Sequence, residues 1–183
     1  VYITAGTGLG SGIIIDGKVY RGFSHVGGEV GHMTLNPDGY VCNCGNRGCF
    51  EAYCGGAYIV DRVKKRLSSG YRGKIWELID GDIDALHAGH VEEGAMLNDD
   101  LCNTVWKETL EYLGAGLASL ANVLNPGIII LGGGVVYGTR RLIDDVKPIM
   151  EKRAMAPSVK NMKVIGARLK EDAAIMGAAF SEQ

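Results

Sequence analysis

The sequence has no excess of charge of either sign. Its 183 residues carry 19 Lys and Arg against 21 Asp and Glu, a formal net charge of −2, so no electrostatic field argues for nucleic acid or an anionic membrane as partner. It has no apolar run near the roughly 20 residues that a membrane-spanning helix needs, and nothing at its start has the layout of a signal peptide. Internal repeats and low-complexity tracts are missing too. With 46% hydrophobic and 22% charged residues, the composition is that of a soluble globular chain, long enough for one domain with a real core. Two nucleotide motifs are also absent. The stretch GTGLGSG (Gly6–Gly12) lies between two strands, whereas the dinucleotide fingerprint needs a helix after it, and no Gly-Lys-Ser/Thr follows as in a Walker A loop.

Glycine, in contrast, is abundant, with 28 residues, clustered in short runs. The five cysteines are an odd number, and three of them stand too close together for a disulfide framework. That favours a reducing, cytoplasmic setting with a metal or free thiols. The chain opens on VYITAGTG, already inside an apolar β-branched run, and is expected to be the later part of a longer polypeptide.

Residues 1–5 are expected to form a strand, followed by the glycine loop. Two β-rich runs then flank Asp16-Gly17, a strong hairpin signal, so three consecutive antiparallel strands are expected. A loop from about Ser24 to Cys49 carries most of the cysteines. Apolar residues at helical spacing predict a helix over 50–67 with a basic last turn. Short helices are expected over 74–94 and a long one over 95–124, stopped by Asn125-Pro126-Gly127. Its half Tyr112–Leu124 is either core or a dimer face, and a homodimer is expected. Residues 128–134, IIILGGG, read as a buried strand running into a second glycine loop. A helix (139–154), a strand (162–169) and a small-residue helix (172–183) close the chain. The order implies an α/β fold, a mixed sheet flanked by helices, of the ribonuclease-H-like or actin-like kind.

The densest chemistry lies in GGEVGHMTLNPDGYVCNCGNRGCFEAYC (Gly27–Cys54). Cys42, Cys44 and Cys49 form a C-x-C-x4-C run whose glycines permit a tight fold. Three thiolates need one further ligand for the tetrahedral Cys3His site that zinc favours. His32 is the leading candidate, because Gly31, Pro37, Asp38 and Gly39 let the loop turn back; Cys54 and His25 are the rivals. Cys54 falls one helical turn too far along. Glu29 and Glu51 flank the cluster, and a rigid loop with an imidazole N–H and two carboxylates suits a polyhydroxyl ligand such as a sugar. The glycines of the first loop, with Thr7, expose backbone N–H groups that suit phosphate. The second loop falls beyond the carboxyl end of a strand, where open α/β sheets bind ligands.

Taken together, GTGLGSGIIIDGKVYRG, the Glu-x-x-His segment followed by C-x-C-G-x-x-G-C-x-E, LNPGIIILGGGV and EDAAIMGAAF resemble the ROK family of bacterial sugar kinases and sugar-responsive repressors. The resemblance covers nearly the whole chain and implies a structural zinc on His32, Cys42, Cys44 and Cys49. It implies sugar contacts at Glu29, His32 and Glu51, a phosphate loop at 6–12 with Gly6, Thr7, Gly8 and Gly10, and a nucleotide loop at 131–135 with Gly132, Gly133 and Gly134. Between them lie a zinc and sugar loop (24–54) and a helical segment (56–125), with a closing helix at 171–181. The activity implied is glucokinase-like phosphoryl transfer from ATP, with Mg²⁺, to a hexose, glucose first among them. The alternative is the sugar-sensing domain of a repressor. The kinases of the family carry their general-base aspartate in an N-terminal domain that this sequence does not match, so the chain resembles the C-terminal domain alone and is expected to be inactive by itself.

Overall fold

The computed structural model describes residues 1–170 and 172. Strands β1 (Tyr2–Ala5) and β2 (Leu9–Gly12) pair antiparallel around the first glycine loop. Next come β3 (Ile14–Ile15) and β4 (Lys18–Val19). The helices α1 (Phe50–Cys54), α2 (Gly56–Ser68), α3 (Lys74–Leu78), α4 (Ala88–Met96) and α5 (Asp100–Leu124) lead to β5 (Ile128–Gly132). Then α6 (Gly134–Tyr137), α7 (Leu142–Arg153) and α8 (Ala156–Val159) precede β6 (Lys163–Gly166). The main sheet has the order β2-β1-β5-β6, with β5 parallel to both β1 and β6. This is an α/β fold with a mixed sheet.

Alternation along the strands decides which face is core. Ile3, Ala5, Leu131, Ile129 and Val164 are all buried, and the register sets Ile3 opposite Leu131 and Ile129 opposite Val164, on one face. Helix α5 contributes Leu113, Leu117 and Leu120 to the same core, and α7 contributes Leu142, Val146 and Met150. The half of α5 left open as core or dimer face is therefore mostly core, although Val123 stands in solvent. No helix among the described residues is long and apolar enough to cross a membrane.

Several expectations need correction. The phosphate loop expected at 6–12 is a turn of residues 6–8 only, because Leu9–Gly12 form β2, and of the loop expected at 131–135 only Gly133 lies between β5 and α6. The three opening strands do not form one antiparallel sheet: β3 and β4 pair only with each other, in a separate two-stranded ribbon. The chain turns at Ile13, whose side chain is buried and whose carbonyl accepts the Tyr20 N–H, and the ribbon beyond it is exposed. Its turn residues Asp16 and Gly17 both take positive φ, as a two-residue hairpin requires. The helix expected over 50–67 is broken at Gly55, which is extended. The long helix expected from residue 95 starts only at Asp100, after left-handed Asn98 and the capping Asp99, and residues 95–96 instead end α4. The strand expected over 162–169 is confined to β6. The closing helix expected at 171–181 falls almost wholly outside the described residues.

Asp99 also ties the helical layer together. Its buried carboxylate caps α5 through the Cys102 N–H (2.9 Å), takes the Ile75 N–H of α3 (3.1 Å) and accepts from the Tyr71 hydroxyl (3.1 Å). Burial alone would raise its pKa, yet those hydrogen bonds outweigh it and hold the carboxyl below its ordinary value. A depressed native pKa means stability that is present above the unfolded value and lost as pH falls through the native one. Asp99→Ala should therefore cost about 2–3 kcal/mol at neutral pH. The gap to wild type, read by urea melts at several pH values, should begin to narrow as the pH falls below about 4.

Candidate functional site

The cysteine loop is closed by its own backbone. Thr34 faces Cys49 and Val41 faces Arg47 across single antiparallel bridges. Leu35 N–H donates to the Gly48 carbonyl, Gly48 N–H to Tyr40 and Cys42 N–H to Asn46, each at 2.8 Å. Gly48 is required here: its φ is +67°, and a Cβ would collide with the Asn36 carbonyl. A 3-10 turn, Val30–His32, buries Val30 and Gly31 and leaves the His32 side chain exposed.

This folding gathers His32, Cys42, Cys44 and Cys49, whose ligand atoms all lie within 4.8 Å of one another. Cys44 Sγ is 3.6 Å from Cys49 Sγ, and Cys42 Sγ is 3.8 Å from His32 Nδ1. All five thiols are free. Of the two rivals for the fourth position, Cys54 is fully buried with its Sγ on the Thr109 carbonyl (3.6 Å), and His25 lies outside the cluster. Burial and the neighbouring thiols push the Cys49 pKa up to about 12. At Cys44, by contrast, hydrogen bonds from the Asn46 backbone and the Cys42 side chain lower it. Crowded thiols of this kind ionise together only beside a cation.

A polar and aromatic scaffold braces the loop. Asn36 Nδ2 donates to the hydroxyls of Tyr53 (3.2 Å) and Tyr112 (3.0 Å), whose rings stack 3.5 Å apart. The Tyr40 hydroxyl donates to Glu108 at 3.0 Å, and Glu108 also pairs with Arg62, whose side chain is only 10% exposed. Arg62 reaches on to the Tyr53 carbonyl and to Thr109 Oγ1. The Tyr58 hydroxyl accepts the Asn43 N–H at 2.8 Å and donates to Cys42 Sγ at 3.8 Å. These residues escaped the sequence reading, because their partners come from three separate segments and share no spacing.

The two glycine loops leave the same end of the sheet. The first follows β1 and the second follows β5, and the parallel register places Thr4 opposite Gly132. The turn of Gly6, Thr7 and Gly8 thus leaves the sheet at the same end as Gly132, Gly133 and Gly134, whereas Gly10 lies within β2, opposite Thr4 and across β1 from Gly132. The start of α2 grips the first loop, with Gly56 N–H on the Gly6 carbonyl (2.8 Å) and Ala57 N–H on that of Thr7 (3.0 Å). Glu51 turns inward: Oε2 accepts the Leu9 N–H at 2.8 Å, and Oε1 lies 3.8 Å from Cys42 Sγ. Glu29 is exposed beside His32, its carbonyl taking the His32 N–H at 3.1 Å.

A protein-family model described as the ROK family matches residues 1–181. The chain belongs to the ROK family. Its similarity extends to a glucokinase of Streptomyces coelicolor, 34% identical over 98% of this chain and 57% of that one. A xylose repressor of Caldicellulosiruptor bescii is 30% identical over 97% of this chain and 44% of the repressor. Among solved structures, a ROK family glucokinase from Streptomyces griseus in complex with glucose and AMPPNP superposes with a TM-score of 0.81 at 34% identity, covering 97% of this chain and 58% of that one. The α/β fold with its mixed sheet is that of ROK kinases, of the actin-like ATPase class. This ROK chain spans about half the length of the curated relatives it matches, and those relatives include both kinases and repressors.

Proposed function

We propose that the chain is the C-terminal half of an ATP-dependent hexose kinase of glucokinase type, with structural zinc on His32, Cys42, Cys44 and Cys49. One observation carries the reading: the two glycine loops stand side by side at one end of the sheet, and the Cys/His cluster is joined to the first of them through Glu51. The donor set fits zinc. Tetrahedral geometry with Zn–S near 2.3 Å puts neighbouring sulfurs about 3.8 Å apart, and the Cys44–Cys49 and Cys42–His32 separations are 3.6 and 3.8 Å. A bound ion would supply the positive charge that three thiolates need and would cross-link the loop.

In this reading Glu29, His32 and Glu51 hold sugar hydroxyls, with His32 turning Nδ1 to the cluster and leaving its other ring nitrogen to donate. Backbone N–H groups of the turn at Gly6–Gly8 and the start of β2 at Gly10, with the Thr7 hydroxyl, cradle the phosphates that arrive with Mg²⁺, and Gly132, Gly133 and Gly134 border the nucleoside. Loops of this kind contribute position and electrostatic stabilisation to in-line transfer of the γ-phosphoryl group. The base that takes the sugar hydroxyl proton belongs to an N-terminal domain beyond this chain, so the 183 residues are a binding half without turnover. The xylose repressors support a second reading, a sugar-sensing domain, since they match this chain as fully as the glucokinases do. The intact Gly-Thr-Gly-x-Gly loop favours the kinase.

A coupled assay of ATP-dependent hexose phosphorylation, run on this chain and on the full product of its gene with zinc measured in both, tests the proposal. Turnover is expected in the longer protein alone, with zinc in both. Turnover in the short chain would overturn the placement of the base. Zinc and sugar binding without turnover in either would decide for the repressor.

A further inference from the structure

Glu51 stands where the two parts of the site meet, and its two oxygens face different ways. Oε2 takes the Leu9 N–H at 2.8 Å, at the point where the glycine loop re-enters the sheet, and Oε1 faces Cys42 Sγ at 3.8 Å. Gly8 lies so close that any Cβ there would collide with Oε2. The residue also sits in the first turn of α1, whose N-cap is Cys49. A ligand that fixes Cys49 therefore fixes the start of the helix and the aim of the carboxylate.

We infer that Glu51 is a positioning residue that transmits the state of the Cys/His cluster to the phosphate loop. The two ends of that loop are held differently. Gly6 and Thr7 are held through backbone bonds from the start of α2, which a change in the cysteine loop does not reach directly. The Leu9 end is held by a side chain, in a place where the strand ladder supplies no acceptor for that N–H. Locking Cys49, the N-cap residue of α1, fixes the start of the helix and holds Glu51 on Leu9, and releasing it lets the carboxylate leave. Metal loading then sets how well the phosphate loop is ordered. This inference rests on the reading of the cluster as a zinc site and is separable from it by experiment.

The test is amide hydrogen exchange at Leu9 and its neighbours in the 183-residue chain, with one equivalent of zinc or with chelator, for wild type, Glu51→Ala, Glu51→Asp and Glu51→Gln. In zinc-loaded wild type the Leu9 amide is protected; chelation should speed its exchange about tenfold or more. Glu51→Ala should speed it as much while still binding one zinc, and chelation should then add little, because both changes act through one contact. Glu51→Gln keeps an acceptor oxygen and should restore protection, whereas Glu51→Asp, too short to reach, should not. Zinc uptake with a Leu9 amide indifferent to chelation would overturn the coupling alone. A Leu9 amide indifferent to Glu51→Ala would overturn the contact. A chain that takes up no zinc would overturn the coupling together with the zinc reading.

Discussion

If the Cys/His cluster holds zinc as proposed, replacing Cys49 by serine is expected to abolish zinc binding and lower the melting temperature by roughly 8–16 °C. A ligand present at about a thousand times its dissociation constant stabilises the native state by about 4 kcal/mol, and each kcal/mol shifts a domain of this size by about 2–4 °C. Cys49 should be the most sensitive of the four ligands. It is fully buried, faces Cys44 Sγ at 3.6 Å, pairs with Thr34 and occupies the N-cap position of α1, so no other donor can swing into its place, and a serine hydroxyl does not ionise to bind zinc at neutral pH. Metal-free wild type should melt with Cys49→Ser, since without a cation the buried thiol stays neutral. Cys54→Ser is the control: that thiol bonds the Thr109 carbonyl away from the cluster, so zinc content should not change. Zinc analysis and thermal melts with and without chelator decide the matter. A wild-type chain whose melting ignores chelation, or a Cys49→Ser chain that still holds one zinc, would refute the assignment.

What could be read from the sequence was whatever depends on local spacing. The C-x-C-x4-C run with glycines between its members dictates a tight loop, and Cys42, Cys44 and Cys49 do converge, joined by His32. Apolar β-branched runs bounded by glycine mark β1 and β5, but the glycine loops that follow them are shorter than the spacing implies, residues 6–8 after β1 and Gly133 alone after β5. The failures share a cause as well. The run IIIDGKVY has strand propensity throughout, but nothing local says that Ile13 enters the core while Ile14 and Ile15 leave it, and that choice detaches the ribbon from the main sheet. Asn98-Asp99 sits inside a good helical pattern, and only the tertiary partners Ile75 and Tyr71 make the break there favourable. Glu51 could be picked out as a carboxylate near the cluster, but its hold on Leu9, 42 residues away, had no local signature. Arg62, Glu108 and Tyr40 are ordinary surface residue types whose mutual pairing exists only once α2, α5 and the loop are packed.

Phe50→Ala should be as damaging as loss of a zinc ligand, and through packing. The ring is 0% exposed and rests against Gly116 of α5, where a Cβ would sit 2.5 Å from Cζ. Truncating a phenyl group in such a place removes its transfer free energy and leaves a cavity, about 3–5 kcal/mol together. The cavity should not collapse, because one wall is α5 backbone and Phe50 is itself pinned by its N–H to the Met33 carbonyl at 2.8 Å. At about 2–4 °C per kcal/mol this lowers melting by roughly 6–20 °C. Phe50 lies between Cys49 and Glu51, so the same change should loosen both the cluster and the first glycine turn. Gly116→Ala attacks the contact from the other side by overpacking, at about 1–3 kcal/mol. Combined with Phe50→Leu it should cost less than the sum of the single changes, since a smaller side chain makes room for the added methyl. Strict additivity in that cycle, measured by denaturant unfolding, would mean that the ring does not rest on Gly116, and the packing that aims α1 at both parts of the site would have to be assigned to other residues.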